Sequence, residues 1–155
     1  MTTIIDKISG DADRALECAL GSEGSARLDA MIEFMAAFER LARAVAAGEA
    51  SWDQARPWAG RTANRLCLAG GALQDWELEL GDLLYNGGEE RAERALIWRS
   101  QQAFAHDLLE GTPAGELLAT YEAAEVDRDL RSRAEGLGLD RPSWAPPTHT
   151  WWAGT

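Results

Sequence analysis

The sequence is poor in several features that would point directly to a chemistry. It holds two cysteines, Cys18 and Cys67, with no Cys-x-x-Cys pair, and two histidines, His106 and His149, neither with Glu three positions before it. A disulfide framework is excluded, and no zinc or di-metal carboxylate ligand set is formed, so no metal is expected. The two thiols are expected as small, buried, reduced side chains. Lysine is nearly missing, Lys7 being its sole instance, and 15 basic residues face 26 acidic ones. A net charge of -11 argues against a protein that coats nucleic acid by bulk charge. No apolar run approaches the roughly 18 residues of a membrane span, so no membrane partner is expected. Met1 to Gly10 offer one lysine and the pair Ile4-Ile5, too little for a secretory leader. The expectation is a cytoplasmic protein. No glycine-rich phosphate loop follows a strand and no serine has a His/Asp setting, so neither a cofactor nor an acyl-transfer site is implied.

What is present is enough apolar material to fold. Hydrophobic residues make up 46% of 155 residues, a length that suits one domain with one core. Between glycines the apolar residues recur at helical spacing, and strand alternation is almost absent. The class is all-α: a five- to six-helix bundle over 1–138, followed by an extended Pro/Trp-rich C-terminal tail over 139–155. A short first helix is expected from Asp11 to Leu20, then a long one from Ser25 to Ala47 on the stripe Met31, Phe34, Phe38, Leu41 and Val45, stopped by Gly48. Ser51 and Gln54 form a capping box for the third, which Pro57 should kink or break before Arg61. The fourth opens at Gly70 with Leu73, Trp76, Leu80, Leu83 and Leu84 on one face. The fifth spans Glu89 to Glu110. Thr112 and Pro113 start a last helix, carrying Leu117, Leu118 and Tyr121 on one side and Val126, Leu130 and Leu137 on another. On its outer surface Asp127 should pair with Arg131 and Asp129 with Arg133, each at i, i+4.

Two features stand out as sites. Asp75, Glu79 and Asp82 share one face of the fourth helix, with Glu77, Glu89 and Glu90 close by in sequence, which makes an acidic ridge able to select a partner with a basic surface. Trp144, Trp151 and Trp152 crowd the tail, and indoles are costly to leave in water. They either close a groove of their own bundle or anchor in a partner.

The tail carries a resemblance. Leu137, Gly138, Leu139, Arg141, Pro142 and Trp144 form a Leu-Gly-Leu-x-Arg-Pro-x-Trp stretch that looks like the C-terminal ends of small actinobacterial accessory proteins, some encoded beside toxins. It brings no catalytic residues. A second resemblance lies on the fifth helix, where Arg99 and His106 in Arg-x6-His spacing are similar to the active-site signature of the HEPN ribonuclease superfamily; it implies Arg and His acting on an RNA phosphate. Seven residues put both side chains on one helix face, open together to solvent.

The leading expectation is thus a non-enzymatic protein-interaction module, an antitoxin or immunity-like accessory protein. It would bind a basic partner protein, or a second copy of itself, through Asp75, Glu79, Asp82, Trp144, Trp151 and Trp152. The alternative from another class is a metal-independent ribonuclease with His106 as general acid or base and Arg99 on the phosphorane. A third is a small-molecule-binding bundle with a Trp-lined pocket.

Overall fold

The computed structural model describes residues 2–119 and 123–154, and among them all regular structure is helical. Seven helices follow one another: α1 (Ile4–Leu20), α2 (Gly24–Ala46), α3 (Trp52–Leu68), α4 (Gly70–Tyr85), α5 (Glu89–Leu108), α6 (Pro113–Leu118) and α7 (Ala123–Leu137). The all-α class therefore holds, with more helices than the five or six expected.

Local capping explains most of the boundaries. Ser51 and Gln54 form the expected box, the Gln54 amide donating to the Ser51 hydroxyl at 3.3 Å and the Ser51 amide to the Gln54 side chain at 3.0 Å. Thr112 caps α6, accepting from the Gly115 amide at 3.2 Å, with Pro113 in the first turn. α2 stops where Gly48 turns to φ +75° and the Glu49 amide donates to the Ala44 carbonyl. α1 begins earlier than Asp11, because Thr3 and Asp6 make a second capping box, with donor–acceptor distances of 3.1 and 3.2 Å. Pro57 does not break α3. It is exposed and lies early in the helix, so the acceptor it orphans, the Asp53 carbonyl, belongs to an exposed first turn where water can serve it. The last helix is not continuous. Ala119 is extended, at φ -74° and ψ 128°, so α6 ends there and α7 starts afresh at Ala123; Tyr121 lies outside the described residues.

α2 and α5 form the middle of the bundle: α2 packs on α1, α3, α4 and α5, and α5 on α2, α3, α4, α6 and α7. The stripe read from α2 is the core stripe, with Met31, Phe34, Phe38 and Leu41 buried beside Trp58 of α3. Phe34 and Phe38 meet edge to face at 5.6 Å, and Phe38 lies 5.8 Å from Trp58. Trp76 of α4 stacks on Trp98 of α5 at 5.2 Å. α5 is surrounded so completely that Ser100, Gln101 and Gln102 are buried along with its apolar residues. The cysteines differ from expectation: Cys18 is exposed and Cys67 half-buried, both as free thiols.

The C-terminal stretch is not extended. Two turns, closed by Ala145 N–H to the Pro142 carbonyl and His149 N–H to the Pro146 carbonyl, reverse the chain. Its end then returns to its beginning, as Arg141 N–H donates to the Ala153 carbonyl at 3.2 Å and Ala153 N–H to the Leu139 carbonyl at 3.0 Å. Prolines at these positions forbid helix, and the indoles supply the apolar area that draws the loop onto α5.

Candidate functional site

Ser100 sits in the middle of α5 and is fully buried. Its hydroxyl oxygen accepts the indole N–H of Trp152 at 3.0 Å and of Trp151 at 3.2 Å, and lies 2.9 Å from Nδ1 of His149. A hydroxyl has two lone pairs and one proton. With both lone pairs used by the indoles, the proton must go to Nδ1, which fixes His149 as the tautomer protonated on Nε2. Burial, together with the charges of Arg99 and Arg141, holds the His149 pKa down at about 4, so the ring is neutral near pH 7. It stacks on Trp151 at 4.5 Å and abuts Phe104 at 4.7 Å.

The sequence-predicted tail residues are thus placed in the chain's own bundle. Trp151 and Trp152 are each 3% exposed. Trp144 is half-buried, edge-on to Trp152 at 6.3 Å with the Arg43 guanidinium 5.0 Å over its ring. In this arrangement the indoles of residues 151 and 152 hold the tail in place and are not surface anchors for a partner.

Arg99 and His106 do come together, in a cleft of about 380 Å³. They are not equally open, as one-face geometry had implied: the Arg99 side chain is 14% exposed and that of His106 41%. α7 covers Arg99, whose Nε and Nη2 donate to the two carboxylate oxygens of Asp127 at 2.7 and 3.2 Å, while its guanidinium lies 4.4 Å over Trp151. The cation is neutralised by this fork. α5 contributes Arg99, Ala103, His106 and Asp107 to the cleft, and the tail contributes Thr148 to Trp151. The expected i, i+4 partners look elsewhere, since Asp127 takes Arg99 and Asp129 accepts the Tyr85 hydroxyl at 2.7 Å. A half-buried bidentate contact outweighs an exposed helical pair worth tenths of a kcal/mol.

The acidic ridge is less uniform than its residue types imply. Arg27 of α2 donates to Asp75 at 3.0 and 2.7 Å, and Arg91 to Asp82. Burial pushes the Glu77 carboxyl above its ordinary range. Glu79, half-buried, completes the row. Between Asp75 and Asp82 on the same stripe stands Leu78, 69% exposed, and Leu68 at the end of α3 is 76% exposed. Sequence reasoning anticipated neither the joining of Ser100 to His149 nor the pairing of Asp127 with Arg99. Among the described residues no group of His, Cys, Asp and Glu could hold a metal ion, and no helix is long and apolar enough to cross a membrane.

Comparison with protein-family models, curated proteins and solved structures gives no match to this chain.

Proposed function

We propose that the chain is a non-enzymatic protein-interaction module of the antitoxin or immunity-like accessory kind, which docks a basic partner on the outward face of α4. The supporting observation is Leu78, a large apolar side chain left in solvent on the stripe that carries Asp75 and Asp82. Covering one leucine contributes about 2 kcal/mol, and the surrounding carboxylates and the net charge of -11 favour a cationic surface around the contact. Arg27 and Arg91 hold Asp75 and Asp82 in position while leaving the acid in excess along the ridge. The C-terminal indoles take no direct part; they close the bundle behind α5.

The test is capture from the native host by the intact protein, with Leu78→Asp and Glu79→Lys in parallel. The expected result is one partner of high pI, released by salt and lost roughly tenfold or more by either variant. Retention of the same partner by both variants, or capture of an acidic one, overturns the reading.

A further inference from the structure

The cleft beside His149 has its own polar logic, independent of the α4 face. His149 is 2% exposed, and Ser100 occupies its Nδ1. The ring lines the cleft, and its Nε2–H has no partner among the described residues. Arg99 lines the same space with Nε and Nη2 spent on Asp127, which leaves the Nη1 hydrogens to donate. Thr148 and Thr150 add two hydroxyls to the lining. Of the two carboxylates among the described lining residues, Asp127 is committed to Arg99, and the Asp107 side chain is 74% exposed, beside His106. The inner polar groups are therefore donors. Ala103, Leu118, Ala119 and Ala123 add apolar surface to the lining. Burial first, and then the charges of Arg99 and Arg141, disfavours a second proton on His149, so the ring stays a neutral donor through Nε2.

We propose that this cleft binds a small organic anion, a carboxylate or phosphate on a flat apolar body, with its head on His149 Nε2–H and Arg99 Nη1 and its body against the alanines of α5 and α7. A volume of about 380 Å³ suits a ligand of one or two rings. His106, at the mouth, reports on occupancy and does not carry it. A donor already fixed in one tautomer, and a guanidinium already held by Asp127, lose little freedom when an acceptor arrives, which favours binding.

Two histidines make the test direct, because the Cε1–H signals of the intact protein in a proton–carbon NMR spectrum number two and His106→Gln identifies one of them. Benzoate and phenyl phosphate are the probes for the two head groups, and benzamide is the neutral control. Saturable movement of the His149 signal is expected with at least one anion, with benzamide roughly tenfold weaker or worse. The preferred anion tells carboxylate from phosphate. Ala103→Phe, which fills the cleft and leaves the Ser100 contacts in place, should abolish the movement while the helical circular dichroism is retained. The proposal falls if neither anion saturates the His149 signal, if benzamide matches the anions, if only His106 responds, or if folded Ala103→Phe binds as the parent does.

Discussion

The Ser100 hydroxyl and Nδ1 of His149 lie 2.9 Å apart although 49 positions separate them in the chain. The same oxygen receives two indole N–H groups, so one small side chain satisfies three polar groups that are shut away from water. Removing it would take this bond from each of Trp151, Trp152 and His149. Ser100→Ala should therefore cost about 3 kcal/mol or more, well beyond the value of the hydroxyl alone. Urea unfolding followed by tryptophan fluorescence measures it, and a loss under about 1 kcal/mol would mean that the three groups find other partners.

His149 gives the fold a dependence on pH. In the folded chain its pKa is lowered from 6.5 to about 4. Above 6.5 both folded and unfolded forms are neutral at this ring and its contribution is complete. As pH falls from 6.5 toward 4, the unfolded chain takes up a proton that the folded chain refuses, and stability drops by about 1.4 kcal/mol per unit, some 3 kcal/mol in all. Below about 4 the loss levels off at this site. His149→Gln should be weaker at pH 7 yet show a flatter profile across that window, compared by thermal melts from pH 7 to 4. A slope identical to the parent's would assign the effect to carboxylates instead.

Gly115 is buried in α6, and a Cβ added there would lie 2.5 Å from the Leu109 carbonyl oxygen. Backbone cannot swing aside as a side-chain tip can. Gly115→Ala is expected to destabilise by about 1–3 kcal/mol, against the usual gain from alanine in a helix. Gly60, with open space around its Cβ position, is the control, and Gly60→Ala should be neutral or stabilising by thermal denaturation.

Cleavage of RNA is a sensitive check on Arg99 and His106. A guanidinium that stabilises a phosphorane must bring uncancelled charge, whereas Arg99 is forked on Asp127 and laid on Trp151. Cellular RNA incubated with the parent protein and with His106→Ala should show no difference in cleavage. Degradation by the parent that His106→Ala abolishes would restore the ribonuclease reading.

The helices were legible where local chemistry decides them. The α2 stripe, the Ser51–Gln54 box and the Thr112–Pro113 start are properties of a few adjacent residues, and all three stand in the structure. The Thr3–Asp6 box was equally local and readable by the same rule, so the late start given to α1 was avoidable. What could not be read was the third dimension of each face. A helical wheel put Arg99 and His106 together but could not say that α7 would lie over Arg99 alone. It paired Asp127 with Arg131, the neighbour it knew, and had no knowledge of Arg99 across the bundle. The prolines of the tail correctly excluded helix, yet they said nothing of the reversal that brings Ala153 beside Asp140. Ser100 gave no signal at all, being one serine in a helix until two indoles and an imidazole converge on it.

That convergence also decides how the end of the molecule comes loose. Side chains fastened to separate points can be shed one at a time, but these three share a single rivet, and freeing any of them weakens the seating of the others. The final dozen residues should thus release in one step, more like a cork than a fraying rope, and residues that need that plug in place are either all assembled or all dispersed.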